Sequence, residues 1–193
     1  TKATETNYQV RAGFQYMSSI IPFSFSISTD KINFGIIVPG EPVTRVNFLT
    51  VSIGSASGYK VTLDQDHPLR LVPTTNTPAS QGKLGRADIP DTTCDSGTCS
   101  HTTAALWTSA LTYGFGYRCD NATGADCSND FTTANFYKQL PSRESGEPAE
   151  VVMSGTKVGT NRQVKITYKV NIPANQATGI YQNIIKYIAT PSI

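Results

Sequence analysis

QVKITYKVNIPANQATGIYQNIIKYIATP, residues 163–191, reads as two strong strands, QVKITYKVNIP and GIYQNIIKYIATP, joined through PANQATG, a connection of hairpin length. A third strand, EVVMSG at 150–155, precedes them. Moving back along the chain, YKVTLDQ at 59–65 alternates Tyr59, Val61 and Leu63 with polar residues, the period-two pattern of a half-buried strand. TRVNFLTVSI at 44–53 is a strand closed by GSASG at 54–58. KINFGIIVPGEP at 31–42 predicts a strand and a bend at Gly40 and Pro42, and FSFSIS at 23–28 turns Phe23, Phe25 and Ile27 inward. Nine or ten strands and no helix emerge, and no internal repeat is present.

Composition agrees. The chain of 193 residues holds 25 Thr, 15 Ile and 12 Val but only 8 Leu. β-Branched side chains lose rotamer freedom in helices and pack well on pleated sheets, so helical bundles and coiled coils are excluded. A hydrophobic fraction of 38% supports a real core. The longest apolar run is a few residues, too short to span a bilayer. Sixteen Lys+Arg against fourteen Asp+Glu, with no basic run, lack the phosphate-binding surplus of a nucleic-acid partner. Short strands with long loops predict an all-β protein: a two-sheet β-sandwich of jelly-roll or Greek-key order.

Four cysteines lie in two Asp/Ser/Gly/Asn-rich stretches, TCDSGTC and RCDNATGADC, which read as surface loops. Three pairings are open. Local pairing, Cys94 with Cys99 and Cys119 with Cys127, needs the least rearrangement and is favoured over the crossed ones. Gaps of four and seven residues, with His101 the only nearby imidazole, fit a zinc site poorly. Disulfides imply an oxidising compartment, hence an extracellular or cell-surface protein. The start, TKATETNYQV, does not read as a signal peptide and is expected to be that of a processed chain; no anchor or sorting motif is expected behind IIKYIATPSI. Two irregular regions, about 66–105 and 118–148, are expected to be loops pinned by the two disulfides.

No catalytic constellation is found, and the chain is read as a non-enzyme. His67 and His101 are its only histidines; there is no G-x-S-x-G, H-E-x-x-H or phosphate-binding loop. A hydrolase would need one of these histidines beside a carboxylate in a cleft. Asp120, Asn121, Asp126, Asn129 and Asp130 could offer oxygens to calcium, but their spacing matches no EF-hand loop and such residues are ordinary in turns; no metal or cofactor is expected. Asn121-Ala122-Thr123 is an N-glycosylation acceptor triplet. In ALWTSALTYGFGYRC (105–119), Trp107, Leu111, Tyr113, Phe115 and Tyr117 share one face with Ser109. That stripe is read as core in preference to a sugar-stacking platform.

The most informative stretch is NYQVRAGFQY, residues 7–16. Tyr8, Val10, Ala12, Phe14 and Tyr16 point one way and polar residues the other. Such a strand either pairs within its own domain or adds to a neighbour's sheet. Head-to-tail strand addition without closure makes a filament. At about 3.3 Å per residue, sixteen residues reach roughly 50 Å, enough to cross into an adjacent domain, with Met17-Ser18-Ser19 as a hinge.

KINFGIIVPGEPVTRVNFLTVSIGSASGYKVTLDQDHPL (31–69) resembles the opening of secreted bacterial surface modules: a strand ending in Phe-Gly, a Pro-Gly turn, a strand, then a Gly-Tyr strand. VKITYKVNIPANQATGIYQNIIKYIATPSI (164–193) is similar to their closing hairpin. The resemblance is to camelysin/TasA-like secreted jelly-roll fibre subunits. It implies a polymerising subunit whose N-terminal arm completes a neighbour's sheet. The metalloprotease activity attributed to camelysin-type proteins is not carried over, since no zinc-binding motif is present. The two disulfide-pinned loops depart from the simplest fibre subunits.

The expectation is therefore a donor arm at 1–19 and a β-sandwich at 20–193, with copies of itself as partners in an extracellular filament. The alternative is a monomeric surface module that recognises carbohydrate or protein through its long loops.

Overall fold

The computed structural model describes residues 22–54, 58–72 and 88–192. Within them the chain is all-β. Its strands are β1 (Ser24–Ile27), β2 (Val43–Ile53), β3 (Tyr59–Gln65), β4 (Arg70–Leu71), β5 (Ala105–Leu106), β6 (Gly114–Thr123), β7 (Phe136–Tyr137), β8 (Glu150–Gly155), β9 (Gly159–Asn171), β10 (Tyr181–Gln182) and β11 (Ile185–Pro191). A 3-10 turn covers Asn129–Phe131. The donor strand Tyr8–Tyr16 expected from sequence lies outside the described residues.

A four-stranded antiparallel sheet runs β1-β2-β9-β6 and a three-stranded one runs β11-β3-β8; the pairs β10-β4 and β5-β7 complete the ladders. The two larger sheets share one core. Leu49, Val51 and Ile53 of β2, Val164, Ile166, Tyr168 and Val170 of β9, and Phe115 and Tyr117 of β6 meet Tyr59, Val61 and Leu63 of β3 and Val152 and Met153 of β8. Alternation explains much of this: from Asn47 to Ile53 in β2 and from Val164 to Tyr168 in β9 every second side chain is buried and its neighbours are half-buried, while Tyr168 to Asn171 at the end of β9 are all buried. At the corner into β3, Gly58 has φ +85° and a Cβ there would stand 2.0 Å from the Gly155 carbonyl oxygen. Only glycine fits that approach.

PANQATG does not close a hairpin. Both edges of β9 are already paired, with β2 and with β6, so the following strand has no place beside it. The chain crosses instead to the three-stranded sheet, where β11 pairs with β3. The segment 31–42 belongs to no ladder either. The Asn33 and Phe34 carbonyls accept from the Arg45 guanidinium at 2.8 and 3.0 Å, which takes the place of a neighbouring strand.

The aromatic stripe divides. Trp107, Phe115 and Tyr117 are buried, but β6 begins only at Gly114, and a turn at 107–113 leaves Leu111 79% exposed. Within the second expected loop, 118–148, β6 continues to Thr123, and β7 and the 3-10 turn lie farther on. Disulfides join Cys94 to Cys99 and Cys119 to Cys127. The first packs with Trp107 and Tyr137 in a small separate cluster, and the second ties β6 to the loop that returns toward β8.

Candidate functional site

The larger sheet has one strand more than the smaller, and the mismatch falls at the β1/β11 end. Tyr168 of β9 and Tyr187 of β11 share a hydroxyl–hydroxyl hydrogen bond of 2.5 Å. That contact sets β11 opposite the third strand of the larger sheet, so the inward side of β1 projects past it. Between these edges lies an apolar groove of about 850 Å³. Leu69, Ile89, Phe115 and Tyr168, all core residues, form its floor. Phe115 stacks on Tyr168 with centroids 6.2 Å apart and meets Phe34 edge-on at 6.0 Å.

One wall is Ile27 and the segment carrying Ile32, Phe34, Ile36 and Ile37; the other carries Ile180, Tyr181, Ile184, Ile185 and Tyr187. Both walls are braced by polar contacts. Asn47, 3% exposed, accepts from the Ser28 hydroxyl at 2.6 Å and donates to the Thr29 carbonyl at 3.0 Å, fixing the chain as it leaves β1. Gly40 donates its amide to the Ile172 carbonyl at 3.0 Å, tying the segment after the first wall to the end of β9. Tyr181 donates to the Ala177 carbonyl at 2.5 Å. Burial pushes the Tyr168 phenol up to about 12 and the Tyr187 phenol well above its ordinary value, so both stay neutral beside the apolar floor.

The rim is more apolar than a solvated edge needs. Ile36 is 92% exposed, Ile180 68% and Ile184 65%, within one continuous groove. Scattered exposed apolar residues are ordinary on a folded surface, whereas these three share one groove. Backbone groups along β1 and β11 add to it, because among the described residues each is the end strand of its sheet and an end strand presents amides and carbonyls for pairing.

Among the described residues, Asp120, Asn121, Asp126 and Asp130, singled out from sequence as oxygen donors, do not line the groove and are paired. Asp120 lies beside Arg118 and Lys165; burial pushes its carboxyl up, but the two cations hold it below the usual range. Asp126, 4% exposed, accepts from Tyr59 at 2.9 Å and from Arg162 Nε at 2.6 Å. Asp130 meets Lys138 Nζ at 2.9 Å. The Asn121 side-chain carbonyl accepts the Cys127 amide at 2.8 Å. Each of the three carboxylates therefore serves a cation, and Asn121 serves an amide. Among the described residues no group of three metal-ligating side chains converges. His67 sits against Asp66 at 3.3 Å and His101 against Glu147 at 3.2 Å.

A carboxyl missed by sequence reading is Asp91. Both its oxygens accept from Gln65 Nε2, at 2.9 and 2.8 Å, and Asn183 in turn donates to Gln65 Oε1 at 2.8 Å, joining the 88–92 loop to the β10–β11 wall. Burial raises the Asp91 carboxyl to about 7; the Gln65 hydrogen bond opposes this and the Glu147 charge adds to it. The folded value lies above the ordinary unfolded one of about 4, so folded protein holds this proton more tightly. The resulting stability is full below about pH 4 and is lost as pH rises toward 7. Urea midpoints at pH 5 and pH 8 are expected to show that fall in the native chain and a smaller one in Asp91→Asn.

Sequence reading did not place the groove: it took 31–42 for a strand and a bend, where the structure has no ladder, and 179–191 for one strand, where β10 and β11 lie. The signal was present in the doublets Ile36-Ile37 and Ile184-Ile185. In extended chain, adjacent residues point to opposite faces, so a doublet leaves one apolar side chain outward. Comparison of the chain with protein-family models, curated proteins and solved structures found no match.

Proposed function

We propose that this protein is a structural subunit of an extracellular filament, in which the N-terminal arm of one copy fills the groove of the next. The observation that carries the reading is the apolar groove at the end of the sandwich where the smaller sheet is one strand short. Five apolar side chains at alternate positions from Tyr8 to Tyr16 are the complement that such a groove requires. Main-chain hydrogen bonds along the free edge would supply affinity, and the alternating side chains would supply register.

A jelly-roll reading is supported by the connections. From β2 to β3, β6 to β8, β8 to β9 and β9 to β11, the chain changes sheet each time. Two disulfides suit an oxidising, extracellular setting. The repeated contact is heterologous and leaves one arm and one groove unused at the ends, which is the condition for an open polymer.

Negative-stain electron microscopy of the full chain beside a chain beginning at Ser19 tests this. Filaments from the first and monomers from the second are expected. Monodisperse particles of about 20 kDa from both would overturn the reading and turn attention to the disulfide-pinned loops as a binding surface.

A further inference from the structure

Resting on that reading, we infer that the incoming strand pairs with the outer edge of β11, becoming the fourth strand of the smaller sheet, and not with the outer edge of β1; no described strand occupies either edge. The hydrogen-bond phase shows which groups are available. Asp66 donates to the Ile184 carbonyl at 3.0 Å and Ser192 to the Gly58 carbonyl at 2.8 Å. Bonded positions alternate along an antiparallel pair, and the β11–β3 register is continuous from Ile185↔Gln65 to Pro191↔Tyr59. The even-numbered residues of β11 therefore bond to β3, and the amides and carbonyls of Ile185, Tyr187 and Ala189 point to the open edge.

The same argument makes Phe25 and Ile27 the outward groups of β1, since Ser28 donates to the Phe48 carbonyl at 2.9 Å. Burial and strand number decide between the two edges. Within the smaller sheet, Val61 and Leu63 of β3 and Val152 and Met153 of β8 are fully covered. The inward side chains of β11, Ile185, Tyr187 and Ala189, are only partly buried. Cover thus falls away in the direction of the missing neighbour. A strand added at β11, which itself lies opposite β9, would run opposite β2 and beside Ile27 at the groove, bringing the smaller sheet to four strands under the overhanging part of the larger one. A strand added at β1 would enlarge the sheet that already overhangs, and its inward side chains would face no second layer.

The occupant is residues 7–16 of a second copy. With Tyr8, Val10, Ala12, Phe14 and Tyr16 turned into the groove, alternation would put Gln9, Arg11 and Gly13 on the opposite side, the side of exposed Ile188.

Cysteine trapping tests the edge. Chains carrying Gln9→Cys, Arg11→Cys or Gly13→Cys are mixed with separately tagged chains carrying Ile188→Cys on β11 or Ser26→Cys on β1, under assembling conditions. The four native cysteines are consumed in two disulfides, so new intermolecular bonds are read on a non-reducing gel. At least one arm position is expected to trap Ile188→Cys with a yield more than about tenfold above any trap of Ser26→Cys. Filaments that trap Ser26→Cys instead, or trap neither, would overturn the β11 assignment and leave strand donation standing. If the unmodified chain forms no filaments, strand donation itself fails, and the β11 assignment with it.

Discussion

Replacing Val10 and Phe14 together by aspartate is expected to abolish filaments while leaving the β-sheet circular dichroism of the monomer unchanged. Each apolar side chain moved from water into a groove of this kind contributes on the order of 1.5–3 kcal/mol. Losing two of five therefore removes at least about 3 kcal/mol, and two carboxylates would enter a space floored by Phe115 and Tyr168. An unpaired charge there costs several kcal/mol more. Subunit affinity should fall by at least about a thousand-fold, at roughly 1.4 kcal/mol per tenfold. Sedimentation across a hundredfold concentration range reads the change. The conservative apolar controls Val10→Ile and Phe14→Leu should shift assembly only modestly. Assembly of the double aspartate variant at native concentrations would refute strand donation through this face.

Much of the fold was legible because the forces that set it are local. Tyr59, Val61 and Leu63 announce β3 by period two alone, and Val152-Met153 with Glu150 places β8 correctly. The close spacing of Cys94 with Cys99 and of Cys119 with Cys127 makes the local pairing the economical one, and the structure contains both bonds. Which strands pair was less legible. The PANQATG connection has the length of a hairpin, and nothing within it reveals that β2 and β6 already hold both edges of β9. Pairing at 164–170 is decided by residues more than forty positions away, and a single sequence does not carry that information.

The groove was hidden for a related reason. Ile36 and Ile184 look like core residues when each segment is read alone, because apolar character is a property of the residue and exposure a property of the assembly of sheets. Turn chemistry misled at 107–113: Trp107 and Phe115 are both buried, but the Asp95 carboxylate accepts the amides of Thr108 and Ser109 and the hydroxyl of Thr112 at 2.7–3.2 Å, organising a turn where alternation suggested a strand. Asp95 is more than ten residues from any of them.

Arg162→Ala is expected to destabilise the monomer by about 3–5 kcal/mol, the cost of leaving a buried charge without its partner, while filament formation by the molecules that remain folded is unchanged. Asp126 is 4% exposed and has three donors: the Tyr59 hydroxyl and two guanidinium nitrogens of Arg162. Removing the guanidinium leaves the carboxylate with one neutral hydrogen bond in the core. Tyr59→Phe removes that hydrogen bond and keeps the ion pair, so about 1 kcal/mol is expected. The double variant Arg162→Ala/Asp126→Ala should be more stable than the sum of its single changes, because no orphan charge remains. At a urea dependence of roughly 2 kcal/mol per molar, the single change moves the midpoint by about 2 M. Tyr59, Asp126 and Arg162 are not among the residues lining the groove, and Arg162 stands at the end of β9 away from Ile172. The pair of readouts therefore separates what holds the sandwich together from what would hold one copy to the next. If loss of Arg162 weakened assembly as much as stability, the groove would not be an independent acceptor, and completion of the smaller sheet would have to be coupled to the packing of its far end.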